Sequence, residues 1–147
     1  MFSLSKDPTA EFALPEYFYP TYCDYFCRID NEDVDASIEW LTDTLQRHNV
    51  QFDIEGNKIT LYNVDGYFDD IYAEFQQVLS AMQKITRDDF QKLHCCTAEY
   101  DMKSVLSDEC GFWFMLYDEC PDTMQHFMRY VELNVPYYIT AIYDYHF

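Results

Sequence analysis

Asp35, Glu39 and Asp43 recur at four-residue intervals. On a helix they would therefore line one face with about 6 Å of rise from each carboxylate to the next. Successive phosphates along a nucleic-acid strand are separated by roughly 6 to 7 Å, from a 3.4 Å axial rise plus helical winding. The chemistry open to such a stripe is recognition, with carboxylates presented to the Arg and Lys groups that otherwise hold phosphates. Like charges four residues apart cost an isolated helix about 0.2 to 0.5 kcal/mol per pair, so stability alone would have interleaved lysines. Acids in a first helical turn also complement the helix dipole. That accounts for Glu32, Asp33 and Asp35, but not for Glu39 and Asp43 further along.

The stripe belongs to a larger concentration of acids. Between residues 30 and 75 the chain carries twelve Asp and Glu against Arg47 and Lys58 alone. The candidate partner-binding surface comprises Asp30, Glu32, Asp33, Asp35, Glu39, Asp43, Asp65, Asp69, Asp70 and Glu74.

Other chemistry is less well supported. The run Asp30-Asn31-Glu32-Asp33-Val34-Asp35 has the acids of a calcium loop, but Asp35 stands where the loop needs Gly and Leu41 where it needs Glu. His94-Cys95-Cys96, with Cys110 or Cys120, offers soft ligands without a Cys-x-x-Cys knuckle, so no metal is expected there. Glycine occurs only at 56, 66 and 111, which excludes the glycine-rich phosphate and dinucleotide loops. No nucleophile elbow or His-Glu-x-x-His is present. Asp69-Asp70 and Asp118-Glu119 are carboxylate pairs of the kind used in acid-base catalysis, yet in so acidic a chain such pairs arise by chance. A Cys paired with His48, His94, His126 or His146 would make a nucleophilic dyad, and no local context singles one out. A non-enzymatic protein without cofactor or metal is the expectation.

The whole chain shares the acidity. Its 147 residues carry 27 Asp and Glu against 9 Lys and Arg, a net charge of −18. A surface of that sign repels nucleic acid and anionic membranes and attracts basic proteins. With 49% hydrophobic and 19% aromatic residues, intrinsic disorder is excluded and one packed domain spanning 1–147 is expected. The sequence shows no export signal and no membrane-length apolar run, so a cytoplasmic location is expected, the host cytoplasm for a phage-encoded chain. The six cysteines are then expected to be reduced.

The elements that must position these residues follow from periodicity. Residues 1–20 read as a loose lead-in, and residues 21 to 29 suit a strand. Asp30 or Asn31 caps a helix whose apolar positions are Val34, Ile38, Leu41 and Leu45, ending near His48-Asn49. Residues 52–54 and 58–62 flank a Gly56-Asn57 hairpin turn. A long helix from Gly66 to Ile85 carries the stripe Phe68, Ile71, Tyr72, Phe75, Val78, Leu79 and Met82. Thr86 and Asp89 form a capping box that opens a short helix. Residues 95–102 and 112–118 read as strands, Pro121 as the first turn of a helix through Val131, and 136–146 as a closing strand. Asn49-Val50 before one aromatic strand and Asn134-Val135 before another suggest two related β-α-β halves, although chance could produce so short an echo. The expected class is α+β, a mostly antiparallel sheet with helices packed on one face.

In composition, though not in any motif, the chain resembles the nucleic-acid mimics made by phages and plasmids, which bind basic clefts of restriction enzymes or CRISPR effectors. That resemblance implies an inhibitor of the anti-restriction or anti-CRISPR type, acting on a protein's nucleic-acid-binding cleft and not on nucleic acid or membrane directly. An immunity protein or antitoxin neutralising a basic toxin is the alternative. A third reading is an acidic structural or oligomeric protein, and a homodimer stays open.

Overall fold

The computed structural model describes residues 1–11, 25–92, 96–107, 112–116 and 121–146, with backbone alone at residues 25, 26, 31, 32, 96, 107, 145 and 146. In chain order the elements are β1 (Phe2–Ser5), β2 (Tyr25–Arg28), α1 (Asn31–Arg47), β3 (Gln51–Glu55), β4 (Lys58–Asn63), α2 (Asp65–Met82), α3 (Arg87–Gln91), α4 (Cys96–Ser107), β5 (Trp113–Leu116), β6 (Asp122–Thr123), α5 (Met124–Tyr130) and β7 (Pro136–His146). The fold is α+β. The sheet runs β3-β4-β7-β1-β5-β6, with β2 also paired to β7.

β7 organises this sheet because its 11 residues are long enough to serve three antiparallel neighbours. Its start pairs with β4, its middle with β1 and its end with β2. β1 is parallel to β5, the one parallel pair among the described residues. A bulge shifts the β1–β7 register, setting Phe2 opposite Ile142 and Leu4 opposite Ile139. Ile139 and Ile142 thereby reach the same face although they are three positions apart. That face meets Leu41 and Leu45 of α1, Tyr67 of α2, and Phe127 and Met128 of α5 in one core cluster. Met1, Met115, Ala141 and Tyr143 are buried as well but lie outside that cluster.

The N-terminal residues depart most from expectation. β1 is hydrogen-bonded on both edges and buried throughout, so residues 2–5 are sheet centre and not a lead-in. The alternation Phe2-Ser3-Leu4-Ser5 sends the two apolar side chains into the core, each burial contributing about 1.5 to 3 kcal/mol. The Ser3 hydroxyl pairs with Thr140 Oγ1 at 2.8 Å, so its burial leaves no orphaned polar group. The Met1 amine donates to the Tyr143 carbonyl at 2.7 Å. Burial pushes its pKa down to about 5, partly opposed by the nearby Asp144 carboxylate.

Two further expectations are corrected. Residues 96–107 form a helix, because Ala98, Met102 and Val105 recur at helical spacing as the half-buried positions and Glu99 reaches Lys103 at 3.1 Å across one turn. At the other site Asp122 and Thr123 pair with β5, and the helix starts at Met124. Thr123, whose hydroxyl accepts from the His126 N–H at 3.3 Å, is the cap, and Pro121 stays outside the helix. Residues 21–24 of the expected first strand, and the His94-Cys95 pair, lie outside the described residues.

The long helices and the hairpin follow the sequence closely. Leu41 and Leu45 are fully buried, with Val34 and Ile38 packed beside them. Thr86 and Asp89 make the reciprocal capping box. α2 rests on the core through Tyr67, Phe68 and Ile71, and it also packs against α4. Tyr72, assigned to the apolar stripe, is 63% exposed. Asn49 and Asn134 both adopt the left-handed conformation, at φ 52° and 62°, as the chain turns from helix to strand. The echo is thus real as a local turn. The strands it leads into differ, since β3 ends the sheet and β7 is its centre. No described helix is long and apolar enough to cross a membrane.

Candidate interaction surface

α1 positions the candidate residues, and its two flanks have different surroundings. The stripe Leu41 and Leu45 holds one face of the helix on the core. One flank then turns toward the β3–β4 hairpin, where Asp35 and Glu39 line a hollow of about 630 Å³ with Val34, Ile38, Thr42, Ile54 and the Gly56-Asn57 turn. Asp43 continues this stripe one turn later. Asp33, Asp35, Glu39 and Asp43 are all exposed. None of them makes an ion pair with a described residue. Among the described residues lysine ion pairs lie elsewhere, at Lys6–Glu132, Lys58–Glu55, Lys92–Asp88 and Lys103–Glu99.

A second hollow of about 660 Å³ adjoins the first, sharing Thr42 and Ile54 and running along β3 past Phe52 and Asp53 to Tyr62. Gln51, Asp53 and Glu55 are exposed and alternate with half-buried Phe52 and Ile54, so β3 presents its apolar side to α1 and a polar side to solvent. Tyr62 donates its hydroxyl to Asp53 at 2.7 Å, which raises the phenol's pKa. Lys58 holds Glu55 at 2.8 Å and draws its carboxyl below the usual range. Asp53 makes no ion pair among the described residues, although Lys58 lines a hollow together with it.

The opposite flank of α1 faces α2 across a smaller cleft of about 250 Å³, lined by Trp40, Arg47, His48, Tyr67, Glu74 and Phe112 among others. α2 comes this close because Gly66 has no side chain: a Cβ there would sit 2.7 Å from the His48 and Asn49 carbonyls. His48 Nδ1 lies 3.2 Å from Asp70, and the imidazole meets the Tyr67 ring edge-on at 5.2 Å. Trp40 stacks obliquely on Phe112 at 4.5 Å while staying 64% exposed. A histidine held by a carboxylate is half of a catalytic dyad. The nearby Thr44 hydroxyl is donated to the Trp40 carbonyl at 2.9 Å, so it is not offered to His48 as a nucleophile.

α1 therefore divides the candidate acids. Asp35 and Glu39 belong to the hairpin flank, and Asp70 and Glu74 to the α2 flank, while Asp43 is exposed between the two. Asp65 and Asp69 are exposed on α2. The Asp65 backbone N–H is taken by Asn63 at 2.7 Å. Asp30 occupies the N-cap position without a side-chain cap bond. The side chain of Glu32 lies outside the described residues. Among the cysteines Cys27 is a free, exposed thiol. Cys23, Cys95, Cys110 and Cys120, and the side chain of Cys96, are outside them.

Sequence reading passed over Trp40, the β3 edge and the His48–Asp70 pair. Trp40 follows Glu39 on the solvent side of the wheel, where the helix period alone would have flagged it. The open edge has no local signal, because strand neighbours are set by chain pairing far away in sequence. Among the described residues no three His, Cys, Asp or Glu side chains are placed to hold a metal ion. Comparison with protein-family models, with curated proteins and with solved structures gives no match.

Proposed function

We propose that the protein is a non-catalytic acidic binding protein that occupies the basic, nucleic-acid-binding surface of another protein, as an inhibitor of a defence nuclease or similar DNA- or RNA-binding protein. One observation carries this reading. Asp33, Asp35, Glu39 and Asp43 are exposed along α1 without an ion pair among the described residues, and the one basic residue of the helix is Arg47, a turn beyond Asp43, so most of their mutual repulsion is not offset within the helix. A basic cleft supplies the missing counter-charge, with carboxylates taking the place of phosphates against Arg and Lys. The half-buried Val34 and Ile38 beneath the stripe, and the exposed Trp40 across the helix, add apolar contact at short range.

The test is a pull-down from host lysate, followed by association rates of the recovered protein with wild type and with the Glu39→Lys, Asp43→Lys double variant. Attraction between surfaces is screened over about 8 Å at physiological salt. Wild-type association is expected to slow steeply with salt, and the double variant to bind more than tenfold more weakly with a shallower slope. Equal rates and slopes, or recovery of partners without a basic surface, would refute the proposal.

A further inference from the structure

Among the described residues β3 is an edge strand of this sheet, as β6 and β2 are. β7 and β1 are hydrogen-bonded on both sides, whereas β3 pairs only with β4 among the described residues. An open edge leaves a row of N–H and C=O groups available to another strand. The hairpin register identifies them. Glu55 and Lys58 close a two-residue turn, with Asp53 opposite Thr60, so Glu55 and Asp53 direct their backbone groups to β4 while Ile54 and Phe52 direct theirs outward. The two hollows described above run along this same edge and meet at Thr42 and Ile54.

We propose that an extended basic segment of the partner joins the sheet at β3 as an added strand, lying in the groove beside α1. This rests on reading the acidic face as a protein-binding surface, and it specifies the bound conformation. The chemistry of the groove defines the segment by its two faces. Toward α1 the floor is apolar, with Val34, Ile38 and Ile54 half-buried and uncovered, so alternate residues of the added strand are apolar. On the other face Asp53 stands exposed, and at the lip Asp35 and Glu39 stand exposed, so the intervening residues are Lys or Arg. The same carboxylates reject a second copy of this chain, which would bring Asp53 against an identical acidic edge. They thus serve as a guard against self-pairing that a basic strand alone passes. β3 spans five residues, about 17 Å, which sets the length of the contact.

A capped octapeptide of alternating lysine and valine is the probe, together with the same peptide methylated at alternate backbone nitrogens so that it cannot complete the ladder. Binding is measured at low and physiological salt, and amide exchange of Phe52 and Ile54 is followed by NMR. The expected result is more than tenfold slower exchange at Phe52 and Ile54 on adding the plain peptide, and more than tenfold weaker binding of the methylated one. The variant Asp35→Lys, Glu39→Lys is expected to weaken the plain peptide severalfold. Equal binding of both peptides with no added protection would overturn strand addition while leaving the acidic-surface reading standing. Equal binding of the plain peptide to wild type and variant would count against that surface. Failure of the plain peptide to bind at low salt would overturn strand addition as well.

Discussion

β7 and β3 are strands of one sheet with opposite tasks. β7 has neighbours along both edges, and Tyr137, Ile139, Ala141, Ile142 and Tyr143 are all buried. β3 has a single neighbour, and every second side chain is exposed. Burial at the centre ties residues there to stability, and a substitution propagates through a packed cluster. At the edge the backbone and the carboxylates face solvent, so substitution there is expected to have little effect on the fold. The acids are tolerated at the edge because water solvates them, and that exposure leaves their carboxylates accessible.

The sharpest break of the comparison is a pair of truncations. Tyr137→Ala removes a fully buried ring and the acceptor of the Glu132 N–H at 3.1 Å, and is expected to cost about 3 to 5 kcal/mol. Phe52→Ala, half-buried on β3, is expected to cost no more than about half as much. Urea unfolding of both variants checks this, and equal losses would mean that the edge is as deeply tied to the core as the centre.

pH gives the next effect, again from the sheet centre. The Met1 amine has a folded pKa of about 5 against an ordinary value of 8.0. The unfolded chain therefore binds the extra proton between these values, and stability falls as pH drops from about 8 toward 5. The loss is on the order of 1.4 kcal/mol for each unit of the depressed pKa, a few kcal/mol in all. The lowered carboxyl pKa values of Asp7, held by Thr9, and of Glu55, held by Lys58, act in the same direction at more acid pH. Thermal melts at pH 8, 6.5 and 5 should show a falling midpoint. A flat profile would mean that the amine is not desolvated at the sheet centre.

Smaller still is Gly66→Ala, at the contact between α2 and the end of α1. Its Cβ would meet backbone carbonyls at 2.7 Å, which cannot yield as a flexible side chain would, so a loss of about 1 to 3 kcal/mol is expected in the same urea titrations. The smallest stability effect belongs to the outer flank: Glu39→Lys with Asp43→Lys is expected to stay within about 0.5 kcal/mol of wild type, since both side chains are exposed and repulsion is relieved. A loss above about 2 kcal/mol would make these acids structural, and the contrast between edge and centre would fail at α1.

Elements whose residues signal their own conformation were legible in advance. The stripe Val34, Ile38, Leu41 and Leu45 specifies α1, Gly56-Asn57 specifies the hairpin, and Thr86 with Asp89 caps α3. Three or four residues suffice for each, because capping bonds, turn torsions and helical stripes are local. β1 escaped notice because four residues of alternation carry too little signal, and its worth comes from partners 110 and more positions away in sequence. α4 was obscured because its stripe is only half-buried, so aromatic Tyr100 outweighed the period.

For the candidate surface the division is the same. Residue type and four-residue spacing determined by themselves that a row of carboxylates would lie along one helix, with a net charge that no internal pairing could neutralise. Only the tertiary structure decided that α1 separates Asp35 and Glu39 from Asp70 and Glu74, and that Asp70 engages His48. It also decided that the free flank adjoins an open strand edge. Charge is a property each residue carries along the chain. Which charges share a surface depends on how the core orients each helix and where the sheet ends, and long-range burial and strand pairing alone settle that.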